Sequence, residues 1–77
     1  MNNEQILERI IALFARMTEE TDITEDSEII DDLGISSMDI LFLISSMEEE
    51  FGVKISEKAV RKMITVGDVV DIISDLM

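Results

Sequence analysis

The chain has no cysteine and no histidine. Without cysteine there is neither a disulfide framework nor a thiolate nucleophile. Without histidine the Ser-His-Asp and Cys-His constellations and the usual zinc sites are unavailable. Proline is also absent, and no linker, repeat or low-complexity segment interrupts the pattern. The 77 residues therefore read as one free-standing domain, near the size at which a single core only just suffices. No apolar run approaches the roughly 18 residues that suggest a membrane span. The start, Met-Asn-Asn-Glu-Gln-Ile-Leu-Glu-Arg, lacks a signal-peptide pattern. A cytoplasmic monomer is the expectation.

Basic residues are scarce: six Lys and Arg stand against 18 Asp and Glu, for a formal charge of −12. From Met17 to Val53 there is no basic residue at all, while Lys54, Lys58, Arg61 and Lys62 cluster just beyond. Such a surface repels the phosphate backbone, which argues against nucleic acid as a partner. Basic patches on partner proteins suit it better. The plain alternative is a solvated acidic face that serves solubility. With 47% hydrophobic residues the chain is nevertheless too apolar for a disordered acidic tail.

What is present is helical. Residues 3–17 carry Ile6, Ile10, Leu13, Phe14 and Met17 at helical spacing, with Leu7 and Ile11 widening the stripe. Residues 18–35 form a long acidic connection, and Ile23, Ile29, Ile30 and Leu33 are expected to pin it. Asp22, Thr24, Asp26 and Glu28 alternate within it, but the glycine and terminal glutamate of an EF-hand loop are missing at the required offsets, so no dedicated metal site is expected. A second helix should span about 38–51 and end at Gly52. A short third, about 57–62, is capped by Ser56 and turns Val60 inward. A last helix is capped by Thr65, with Asp68 three residues on and a stripe of Val66, Val69, Val70, Ile73 and Leu76. The fold class is thus all-α, a four-helix bundle with a short third helix and a long loop between the first two.

The segment Asp31–Phe51 organises the rest. After Asp-Asp-Leu-Gly, Ser36 is placed to cap the second helix, and Asp39 approximates a capping box with Asp for Glu. Ser37 is then the first helical residue, its hydroxyl free beside open amides and the positive end of the helix dipole, where a phosphate is favoured. Nothing in the chain would activate Ser37 as a catalytic nucleophile. Advancing 100° per residue from Ile40 gathers Leu43, Ile44, Met47 and Phe51 on a core face. Leu41, Met38 and Phe42 fall at roughly 100°, 160° and 200°, outside it. Leu41 is either covered by another segment or part of a partner surface; Met38 and Phe42 favour the partner surface.

Asp-Leu-Gly followed by two residues and Ser-Met-Asp resembles the modification site of acyl carrier proteins, usually Asp-Leu-Gly-x-Asp-Ser-Leu. The similarity continues through Glu48-Glu49-Glu50-Phe51, Ile55 and Thr65-Val66, spanning most of residues 29–73. It departs at Ser36, where the family usually has Asp, and at Met38, where it has Leu. The first change keeps a cap and removes a charge available to a modifying enzyme; the second is a mild apolar change. Locally the two serines suit a helix start with no further role. The wider resemblance implies that Ser37 carries 4′-phosphopantetheine through a phosphodiester bond.

By that resemblance the protein is not an enzyme but holds acyl intermediates as thioesters. Its partners would be a phosphopantetheinyl transferase and the acyl-transferring and chain-elongating enzymes of fatty-acid or polyketide synthesis. The arm would supply the thiol the chain lacks. Candidate partner contacts are Met38, Asp39, Leu41, Phe42, Glu48 and Glu49, and candidate linings for a sheltered acyl chain are Met47, Val60 and Met63. Phe42 and Ser45 differ from residues common in housekeeping fatty-acid carriers, a hint of a specialised pathway. Three alternatives remain at this stage: an aminoacyl or peptidyl carrier, a relative retaining only the fold, or an unmodified acidic interaction module.

Overall fold

Asn2 opens the first helix through a complete capping box. Its side chain accepts from the Gln5 amide at 2.9 Å while the Gln5 side chain accepts from the Asn2 amide at 3.1 Å. In the computed structural model, which describes residues 1–77, α1 (Asn3–Ala15) is followed by α2 (Ser37–Phe51), α3 (Glu57–Val60) and α4 (Val66–Leu76). The four-helix, all-α arrangement expected from the pattern is present. Its only extended pairing is an isolated antiparallel bridge between Glu28 and Thr65.

The apolar stripes converge on one core. Ile6, Ile10 and Phe14 of α1 meet Leu43, Ile44 and Met47 of α2 and Val66, Val69, Val70 and Ile73 of α4. Truncating a residue as enclosed as Ile10 to alanine would cost about 2–5 kcal/mol. The helix ends differ slightly from the periodic reading. α1 stops at Ala15 rather than residue 17, because the amides of Arg16 and Met17 turn back to the carbonyls of Leu13 and Phe14. α3 likewise closes at Val60, with the Lys62 and Met63 amides bonded three residues back. Gly52 ends α2 with φ +66°, a left-handed geometry that suits glycine. Leu76, placed on the α4 stripe by spacing, is exposed because the helix runs past the core.

The connection between α1 and α2 is held both by buried apolar side chains and by its backbone hydrogen bonds. Ile29, Leu33 and Ile35 are buried and Ile23 is half-buried, whereas Ile30 points into solvent, contrary to the expectation that it helps pin the loop. Residues 28–34 form a tight turn in which the Asp32 carboxylate accepts from the Glu28 amide at 2.8 Å, which sends consecutive isoleucines to opposite sides. Thr18 ties the turn to the end of α1 by donating to the Leu33 carbonyl at 2.6 Å. The alternating polar residues act inside the loop: Thr24 Oγ1 accepts from the Asp26 amide and buried Ser27 Oγ from the Thr24 amide.

The loop then lies across the start of α4. The carbonyls of Ser27 and Glu25 accept from the amides of Val66 and Gly67 at 3.0 and 2.8 Å. Thr65 and Asp68 complete a reciprocal cap, and Asp68 also accepts from the Ile64 amide. The backbone bond from Thr65, reinforced by those from Ile64 and the Thr65 hydroxyl, holds the Asp68 carboxyl below the usual carboxylate range against a smaller opposing effect of burial. Gly67 is needed for this closeness, since a β-carbon there would stand 3.0 Å from the Glu25 carbonyl oxygen.

Candidate functional site

The route into α2 is set by two buried residues and one left-handed glycine. Leu33 and Ile35 anchor the incoming chain, Gly34 between them turns at φ +66°, and Ser36 leaves the core in extended geometry as the cap. Ser36 Oγ accepts from the Asp39 amide at 3.2 Å, and its carbonyl accepts from Ile40. The reciprocal half of the expected box is absent: Asp39 does not bond back to Ser36, and its carboxylate faces solvent near the positive helix end.

Ser37 is the first residue of α2, exposed, and its hydroxyl enters no hydrogen bond of the fold. The amides of Ser37 and Met38 have no protein partner either. An accessible hydroxyl beside two open amides and a helix dipole fits a phosphate diester on chemical grounds. Ser36 differs from Ser37 in that its side-chain oxygen is already committed to the cap.

Around this start the structure brings together three of the apolar candidates. Met38, Leu41 and Phe42 are 82%, 64% and 66% exposed, so no loop covers them, and the question left open for Leu41 resolves to exposure. Asp39 and Glu49 are exposed as well. Glu48 differs: it is half-buried, and one of its oxygens accepts from the Ile55 amide at 2.8 Å, bracing the chain that leaves α2. That role escaped the sequence reading because a side chain reaching a backbone group seven residues away has no periodic signature.

The proposed lining residues are not gathered around one opening. Met47 and Met63 are buried in the common core and Val60 packs half-buried against it. Met63 borders a cavity of about 180 Å³ with Glu28, Ile30, Asp31 and Ile64. Neither Met47 nor Val60 lines this or the other main depressions. No three acidic side chains are grouped to hold a metal ion, and no helix is long and apolar enough to cross a membrane.

Comparisons with known proteins bear on the family and the fold. The model of the family described as "Phosphopantetheine attachment site" matches residues 8–73. An acyl carrier protein from Thermotoga maritima is 35% identical over 74 residues, covering 94% of this chain and 91% of the relative. The structure of the acyl carrier protein from Enterococcus faecalis superposes with a TM-score of 0.86 at 28% identity, with both chains fully covered. A chain from Mycobacterium tuberculosis assigned as an acyl carrier protein gives a TM-score of 0.84 at 32% identity, over 94% of this chain and 99% of that one. A family match over most of the chain, a homologue across nearly its whole length and a shared fold lead to one conclusion: the protein belongs to the acyl carrier protein family, a carrier rather than an enzyme, with 4′-phosphopantetheine as its covalent cofactor.

Proposed function

We propose that Ser37 is the attachment residue and that the chain shuttles acyl intermediates between the enzymes of a fatty-acid or polyketide-type pathway. The observation that carries the reading is the division of labour at the start of α2, where Ser36 is spent on the cap and Ser37 is free. The arm supplies the thiol for thioester chemistry, and the protein's residues supply position and recognition. The open amides of Ser37 and Met38 suit the negative charge of the ester, and Ser36 holds the helix end rigid beneath it. Incubation with coenzyme A and a phosphopantetheinyl transferase, followed by intact mass, should show one phosphopantetheinyl group per chain. No gain of mass would refute the carrier reading.

Partners would approach along the exposed side of α2. Met38, Leu41 and Phe42 offer apolar contact, and Asp39 and Glu49 offer free carboxylates. Glu48 adds its charge from a fixed position, since one oxygen is held by Ile55. Charge sets the encounter rate, and the apolar contacts slow departure. Glu49→Lys should lower the association rate with the transferase several-fold at low salt. Leu41→Ala should raise the dissociation rate and leave the salt dependence unchanged. Equal stopped-flow association rates for Glu49→Lys and the parent would remove α2 as the electrostatic docking face.

Sheltering the acyl chain requires the core to part, because Met47 and Met63 are closely enclosed. Methionine suits a space that opens and closes, and the cavity bordered by Met63 is the natural entrance. Loading an eight-carbon chain should shift the methyl resonances of Met47, Val60 and Met63. Unchanged resonances would place the chain in solvent.

A further inference from the structure

The six basic residues are distributed in a way that the reading of α2 does not use. Four of them, Lys54, Lys58, Arg61 and Lys62, fall within the nine residues around α3. Although carboxylates outnumber bases 18 to six, the one salt bridge in the protein joins Arg9 to Glu50. None of the four cations near α3 is in an ion pair. Three of them, Lys54, Lys58 and Lys62, line a groove of about 430 Å³ between α3 and the end of α4. Its remaining walls include Ala59, Ile72 and Leu76, and Asp75 is its single acidic side chain. The exposed Leu76, set aside by the core, is part of this groove.

We propose that the α3–α4 groove is a second docking surface, for a protein segment that presents an apolar side chain flanked by carboxylates. Charge complementarity sets the sign of the partner: three lysines against one aspartate leave a local excess of positive charge on a chain that is otherwise strongly acidic. The apolar wall formed by Ile72 and Leu76 calls for an aliphatic or aromatic anchor between those carboxylates. Shape favours a protein segment over an anionic membrane, because a concave groove receives a protruding side chain whereas a bilayer presents a broad plane. The long-range field points the same way. A charge of −12 repels an extended anionic surface. A short acidic segment, at an ionic strength where the Debye length is about 8 Å, responds chiefly to the lysines beside it. The surface is separate from the one proposed around Ser37, so the chain would hold one protein at α2 and another at α3–α4.

The test is a titration of the isotope-labelled, full-length protein with a short synthetic peptide of glutamates surrounding a central Leu-Phe pair, at about 0.15 M salt. Amide shifts should centre on Lys58, Lys62, Ile72 and Leu76. Lys58→Glu with Lys62→Glu should weaken binding roughly tenfold or more, and the milder Lys58→Gln with Lys62→Gln should weaken it less. Circular dichroism of both variants shows that the helices persist. Leu76→Ser, at an exposed position, should weaken binding without altering its salt dependence. The Ser37→Ala chain should bind the peptide as the parent does, which keeps this outcome independent of cofactor attachment. Absence of peptide binding, equal binding by the charge variants, or binding only to phosphatidylglycerol vesicles would each overturn the proposal.

Discussion

At the start of α4 every first-turn amide has a partner, whereas at the start of α2 two do not. Val66 and Gly67 donate to loop carbonyls, Asp68 donates to the Thr65 hydroxyl, and Val69 donates to the Thr65 carbonyl. In α2 the Ser36 side chain serves only Asp39, its carbonyl serves Ile40, and the amides of Ser37 and Met38 face water. Both helices begin with a hydroxyl cap in extended geometry and an aspartate at the third position. The cap residues therefore do not make the difference; the loop does. Its residues 25–29 lie over one helix start and supply carbonyls, then Leu33 and Ile35 sink into the core and release Ser36 at the surface. A closed start stabilises the fold, and an open start leaves a hydroxyl for chemistry.

The closed start is the easier to break. Gly67→Val would put a branched side chain where even a β-carbon meets the Glu25 carbonyl oxygen at 3.0 Å. It should push the loop away from α4 and cost about 1–3 kcal/mol in urea unfolding. Asp68→Asn should cost about 1 kcal/mol at neutral pH, a figure already reduced for water's access to the carboxylate. Its pH dependence sharpens the contrast. The folded-state carboxyl titrates below its unfolded value, so its contribution is complete above the unfolded value and is lost as pH falls through the folded one. The stability gap between the parent and Asp68→Asn should hold steady from pH 7 to about 5 and shrink below about pH 4. Comparing the two chains at each pH cancels the changing repulsion among the other carboxylates.

At the open start the expected cost is smaller. Ser36→Ala removes a single capping bond and should lower stability by about 0.5–1 kcal/mol. It should leave cofactor attachment on Ser37. Loss of attachment with the fold intact would mean that Ser36 does more than hold the helix end.

The same contrast explains what was legible in the sequence. Helices and core follow from spacing, so Ile6, Ile10, Phe14, Leu43, Met47, Val69 and Ile73 are where periodicity puts them. The caps at Ser36, Ser56 and Thr65 are local chemistry and equally readable. Loop docking is different, because it is made by carbonyls of Glu25 and Ser27, which carry no side-chain signature. Its one trace in the sequence is Gly67, unremarked among helical residues. In an irregular turn apolarity alone does not tell inside from outside, so Ile30 is exposed and Ile35, which the pattern did not single out, is buried. The exposure of Met38 and Phe42 was readable from helical angle, whereas that of Leu41 depended on where the loop runs, and the groove beside α3 needed the packing of two helices to appear.

The central claim, that an open helix start makes Ser37 and not Ser36 the attachment residue, is tested most directly by locating the cofactor. The parent, Ser36→Ala and Ser37→Ala chains are incubated with coenzyme A and a phosphopantetheinyl transferase, then digested and fragmented in a mass spectrometer. The account predicts a single phosphopantetheinyl group on Ser37 in the first two chains and none in Ser37→Ala, whose helices remain folded. A group found on Ser36, or retained by Ser37→Ala, would contradict it.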